Sequence, residues 1–161
     1  MAYKSFSLSY FLLLLFIVLV IVGITYLLRN KDEKTKTNFL LGFCIFNILL
    51  FIVYKIILAS KTIGLPDDYK FEIVLELPIH LCNISLFLVP IGLLKKNNML
   101  LAYGFYIAPL GAFFALTFPS KTFVGLNPFY LHMMGFIGTH ANIVIIGVLL
   151  VSLKIFKPVF K

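Results

Sequence analysis

Five polar or titratable side chains, Glu72, Glu76, His80, Cys82 and Asn83, stand in one apolar stretch, FEIVLELPIHLCNISLFLVPIGLL (71–94). Such groups are costly in hydrocarbon unless they face protein or a wet cavity, so their concentration on one segment indicates a site. The chemistry open to them is that of a thiol. A cysteine alone in an apolar setting is inert, whereas a neighbouring imidazole can generate the thiolate that a nucleophile needs.

Facing and depth select the partner. At about 100° per residue, Glu72, Glu76, His80 and Asn83 fall within roughly 80° of arc, a single polar stripe. Cys82 lies about 200° from His80, so the two do not meet on an ideal helix. A later apolar run, 129–153, holds His132, Thr139, His140 and Asn142. Counted at ~1.5 Å per residue from the same membrane face, Cys82 and His140 both lie about 16 Å deep, and His80 about 13 Å. Asn47 in the run 39–59 and Pro109 in the run 99–118 come within one or two turns of that level. The expected partner of Cys82 is therefore His140 or, less well matched in depth, His132, and a distance from the Cys82 sulfur to the His140 ring near hydrogen-bond reach is the test.

The elements that must carry these groups follow from composition. A chain of 161 residues that is 61% hydrophobic and 12% charged, with mean hydropathy +1.06, is an integral membrane protein. The expected fold class is all-α: a polytopic transmembrane helix bundle forming one domain (1–161), with about five spans at 6–28, 39–59, 71–94, 99–118 and 129–153. The first run is longer than a signal-peptide core, has no A-x-A site, and is followed by RNKDEKTKT, which reads as a stop-transfer flank. Pro109 and Gly111 should kink the fourth span and admit a close neighbour. Lys55, near the end of the second, is read as snorkelling to the headgroups.

The net charge of +8 forms no basic, aromatic-interleaved stripe, so no nucleic-acid partner is expected. The cations instead flank the spans. Arg29, Lys31, Lys34, Lys36, Lys95, Lys96, Lys154, Lys157 and Lys161 fall on one side, and only Lys4, Lys61, Lys70 and Lys121 on the other. The richer side should be cytoplasmic, which puts the N-terminus outside and the C-terminus inside. Abundant Lys and Phe with a single Arg and no Trp suggest an AT-rich genome, hence a bacterial cell membrane.

Blander readings stand beside the chemical one. Cys44 is expected to be a small packing residue, and Cys82 has packing as its alternative. His80 and His140 have the alternative of interhelical hydrogen bonds that lock the bundle. Glu76 reads as a protonated acid bonded to a facing carbonyl, or as the counter-ion of an imidazolium. His132 reads as a headgroup-level residue, and Gly135, Gly138 and Gly111 as sites of close helix packing. No HExxH, GxSxG or phosphate-binding glycine loop is present, and neither a cofactor nor a resident metal is expected.

The segment LPIHLCNISLFLVPIGLL resembles the hallmark of the YwaF family of bacterial multi-pass membrane proteins. LLAYGFYIAPLGAFFALTFPS and FYLHMMGFIGTHANIVIIGVLL, in that order, resemble that family's Gly/Ala-rich span and its histidine-bearing span. The resemblance covers about residues 70–153. It implies a relation to eukaryotic transmembrane acyltransferases that remodel ether-linked phospholipids, with Cys82 as acyl acceptor, His80 in the same motif and His140 in the later span. It also implies further spans beyond the fifth, or a helical partner subunit that supplies them.

The expected function is phospholipid acyl transfer. Cys82 is the nucleophile and His140 the base; Asn83 or Asn47 stabilises the oxyanion, Glu76 lines the substrate site, and membrane lipid is the partner. The alternatives are a small-molecule or metal-ion transport component built on Glu76, His80, His140 and Cys82, and a non-catalytic membrane subunit whose polar layer specifies helix pairing.

Overall fold

A computed structural model of the chain describes residues 4–60, 81–119, 129 and 131–158, and every regular element among them is a helix. In hydrocarbon a helix is the open-chain way to satisfy each backbone N–H and C=O internally, so long apolar runs fold this way whatever their face pattern. Helix α1 is Leu8–Leu28, α2 Glu33–Ala59, α3 Leu81–Lys95, α4 Asn98–Tyr106, α5 Ala108–Thr117 and α6 Leu131–Ser152. Among the described residues, four stretches are long and apolar enough to cross a membrane: Leu8–Leu28, Glu33–Ile57, Asn98–Thr117 and Met133–Ser152. The third expected span is represented by α3; residues 71–80, with Glu72, Glu76 and His80, lie outside the described residues. The chain is thus a multi-pass helical membrane protein.

Local chemistry sets the helix ends. The Ser7 side chain caps α1 by accepting from the Tyr10 N–H. Helix α2 starts well before Phe39, where hydrophobicity alone would begin it, because Asp32 supplies a cap. Its carboxylate accepts from the Thr35 N–H at 3.0 Å and the Thr35 hydroxyl at 2.6 Å. Helix α3 closes with Lys96 in the left-handed region (φ +50°) and the Asn97 N–H on the Gly92 carbonyl at 2.9 Å. The Asn97 side chain then caps α4, accepting from the N–H groups of Met99 and Leu100 at 2.9 and 3.2 Å.

Helices α4 and α5 are one span bent at Ile107. Pro109 has no N–H for the Phe105 carbonyl and its ring crowds that turn, as the sequence leads one to expect. The ladder resumes with the Gly111 N–H on the Ile107 carbonyl at 3.1 Å. The bend seats Pro109 on α6 at Gly147, where a Cβ would collide with the proline ring and stand 2.8 Å from the Gly104 carbonyl oxygen.

Side-chain contacts order the helices. Tyr10 of α1 meets Thr117 of α5 (3.0 Å), while Thr25 of α1 meets Ser152 of α6 (3.1 Å). Gly135 of α6 faces Tyr54 of α2, Gly138 faces Leu50, and Asn142 reaches Asn47. Helices α1, α3 and α6 therefore run one way, and α2 and the α4–α5 rod the other. Helix α6 is central, with 61% of its span buried, whereas α1 buries 6% and turns mostly to lipid. Lipid tails are as apolar as leucine, so close packing at small residues and interhelical hydrogen bonds must hold this arrangement.

Two apolar clusters fill the interior. One, around Leu40, Leu101, Leu149, Leu150 and Phe156, occupies the half nearest the α1–α2 and α3–α4 turns. Cys44 belongs to it as a packing residue. The other gathers Tyr10, Phe51, Tyr54, Cys82, Met133 and Phe136 toward the opposite end.

Candidate functional site: a thiol and an imidazole between α3 and α6

Cys82 sits in the first turn of α3 and His140 in the middle of α6, each 8% exposed. The Cys82 Sγ lies 3.6 Å from His140 Nε2, within the reach of a sulfur hydrogen bond. His140 Nδ1 is 2.8 Å from the Phe136 carbonyl oxygen one turn earlier on the same helix. A carbonyl only accepts, so the proton resides on Nδ1, and in the neutral ring the Nε2 lone pair is turned toward the thiol. The Phe136 ring packs on the imidazole, centroids 4.5 Å apart, and further limits its rotation.

Neighbouring groups fix the pair. Thr139 Oγ1 donates to the Gly135 carbonyl at 2.8 Å and stands 3.5 Å from Nδ1. The Ser85 hydroxyl donates to the Cys82 carbonyl, tying off the start of α3. Asn83 is buried with its Oδ1 3.8 Å from Sγ, so the thiol proton has two acceptors, Oδ1 and Nε2, between which it can pass by rotation of the S–H alone. Across the site, Gly111 of α5 leaves space: a Cβ there would only just touch Cys82, at 3.8 Å.

Asn47 is fully buried, and its amide is engaged with α6 on both sides. Its Nδ2 donates to the Thr139 carbonyl and its Oδ1 accepts from Asn142 Nδ2, each at 3.3 Å. A cavity with room for about one water, about 10 Å³, lies beside it against Cys44, Ser85 and Val89. Of the residues singled out in the sequence, Cys82, Asn83 and His140 are brought together and Asn47 is placed in an α2–α6 clamp. Glu76 and His80 lie outside the described residues, as does the side chain of His132. Among the described residues no three His, Cys, Asp or Glu side chains are grouped to hold a metal.

The comparison with protein families decides the kinship: the family model for the TMEM164 family matches residues 5–161. The chain belongs to the TMEM164 family. This corrects the resemblance to the YwaF family drawn above, since TMEM164 is a distinct family and its match spans nearly the whole chain, whereas the YwaF likeness rested on three short segments. No curated protein and no solved structure matches. Within this TMEM164 chain the site also holds Thr139, which the sequence placed in the polar layer without a role, and Ser85, which sequence reasoning passed over although it was visible as a hydroxyl one turn beyond Cys82 in an apolar helix. Lys55, expected to snorkel toward the headgroups, lies with its ammonium over the rings of Phe51 and Tyr54 on its own helix, 5.4 and 5.1 Å from their centroids.

Proposed function

We propose that this chain transfers acyl groups between membrane lipids, in a bacterial cell membrane, through a covalent thioester on Cys82. The observation that carries the reading is the 3.6 Å approach of Sγ to an Nε2 whose lone pair is aimed by the Nδ1 bond to Phe136. The sulfur attacks the carbonyl carbon of a lipid ester as Nε2 takes the thiol proton. When the tetrahedral intermediate collapses, the C–O bond breaks, and the leaving alcohol oxygen receives that proton from Nε2. In the second half, an acceptor hydroxyl gives its proton to Nε2 and attacks the thioester. The C–S bond breaks, and the proton returns to sulfur. The apolar cluster around Cys82 suits a fatty acyl chain and keeps water from the thioester.

The test is metabolic labelling with an alkynyl fatty acid followed by hydroxylamine release. The parent protein is expected to carry a hydroxylamine-sensitive label that Cys82→Ser loses. His140→Gln should slow labelling by about 10²- to 10⁴-fold with the thiol in place. Equal hydroxylamine-sensitive labelling of parent and Cys82→Ser would sink the reading.

A further inference from the structure

Polar side chains buried in a bundle that hydrocarbon surrounds have only protein to bond to. Among the described residues, the Asn47 amide donates to the Thr139 carbonyl, Thr117 to that of Phe113, Thr139 to that of Gly135, Ser85 to that of Cys82, and the His140 ring to that of Phe136. Asn83 is the exception. It is 5% exposed and its Oδ1 lies 3.8 Å from the Cys82 sulfur, but among the described residues no acceptor takes a hydrogen bond from either N–H of its Nδ2. A buried amide left half-bonded weakens the fold, so its presence points to a task other than folding.

The place of that amide defines the task. Nδ2 and Oδ1 share one carbon, so an oxygen carried by an atom bonded to Sγ comes within reach of Nδ2. A carbonyl oxygen under attack by the thiol is such an atom. As the C–S bond forms, the carbonyl π pair moves onto that oxygen, and the charge is best held by a donor already fixed in a dry site. The amide is freed for this at the moment of attack, because the thiol proton that Oδ1 accepts then passes to Nε2 of His140. Asn47, by contrast, has both ends of its amide occupied by α6. We propose that Asn83 Nδ2 is the oxyanion donor of this site and restricts transfer to acyl donors that present a carbonyl oxygen, esters and thioesters. The proposal rests on the acyl-transfer reading of Cys82 and His140.

The experiment compares two reagents on the purified full chain in detergent, in a Cys44→Ala background, with modification of Cys82 followed by intact-protein mass spectrometry. p-Nitrophenyl octanoate acylates sulfur through a tetrahedral oxyanion and releases p-nitrophenol. Methyl methanethiosulfonate is attacked at sulfur: its S–S bond breaks, methanesulfinate leaves, a methylthio group stays on Cys82, and no carbonyl oxygen takes charge. Nε2 takes the thiol proton in both reactions, so His140→Gln should slow both. Asn83→Leu, of similar shape, is expected to slow octanoylation by about 10²- to 10³-fold. It should change methylthiolation by less than about tenfold, the weight of one neutral hydrogen bond. Its thermal midpoint should hold or rise, because the unbonded donor is gone. The proposal is overturned if Asn83→Leu is octanoylated as fast as the parent, or if it slows both reagents alike, the result expected of a residue that only packs α3. In either case the parent still takes the octanoyl group and the acyl-transfer reading stands. A parent that is methylthiolated but never octanoylated overturns that reading, and the oxyanion site with it.

Discussion

Asn47 shows what one buried amide can do in a bilayer and how to tell its roles apart. Its two bonds to α6 flank the turn that carries His140, so it holds the imidazole in register with Cys82. Interhelical hydrogen bonds in membranes average about 0.6 kcal/mol and reach about 1.7, so Asn47→Leu should cost roughly 1–3 kcal/mol and lower the thermal midpoint in detergent. Labelling of Cys82 at a temperature where the variant is folded should fall less than about tenfold. An oxyanion donor would show the reverse, a loss of about 10²- to 10³-fold with the melting point unchanged. Sequence could rank Asn47 by depth as part of a polar layer, but not say which of two neighbours its amide would choose. The Cys82–His140 pairing was legible because two counts from one membrane face gave the same depth. Lys55 was not, since an end-of-span lysine reads as snorkelling until the rings beneath its ammonium are located.

Among the elements, the bent α4–α5 rod and the early start of α2 each make a measurable claim. Pro109 rests against Gly147, where no side chain fits, so Gly147→Ala should push the rod away from α6. Overpacking of this kind costs about 1–3 kcal/mol, to be read as a lower unfolding temperature, and it should slow Cys82 labelling because Gly111 lies on the displaced segment. The bend was expected from Pro109; its partner Gly147 was not, since a lone glycine in a helix does not say which neighbour comes close. The start of α2 shows a different limit. Hydropathy begins the span at Phe39, but helix formation begins where a backbone donor finds a cap. Asp32 gains two bonds from Thr35, the side-chain bond the stronger influence, and its carboxyl lies below the usual aspartate range. A depressed carboxyl stabilises the folded end above the unfolded pKa and loses that contribution as pH falls through the folded one. The protection of the Thr35 amide, its exchange rate relative to that of an unstructured amide at the same pH, should therefore fall as pH drops below about 4, and Asp32→Asn, which still caps, should remove that dependence.

At the scale of the whole molecule, the antiparallel order of the helices sorts charge from chemistry. The turns after α1 and α3 and the end of α6 share one end of the bundle, and they bring together Arg29, Lys31, Lys34, Lys36, Lys95, Lys96, Lys154 and Lys157. Tyr54, Lys55, Cys82, Thr117 and Met133 lie toward the other end. The loop sums read from sequence needed only the order of the spans, and the antiparallel order of the helices gathers those same cations at one end. Cations concentrate in cytoplasmic loops, so the basic end should face the cytoplasm and the thiol should open toward the outer leaflet. In a Cys44→Ala, Cys82→Ser background, Asn97→Cys on the α3–α4 turn should react with a membrane-impermeant maleimide only after cells are permeabilised. Lys4→Cys at the start of the chain should react in intact cells. The opposite pattern would invert the bundle, move the dyad to the inner leaflet, and require the lipid to be drawn from the cytoplasmic side.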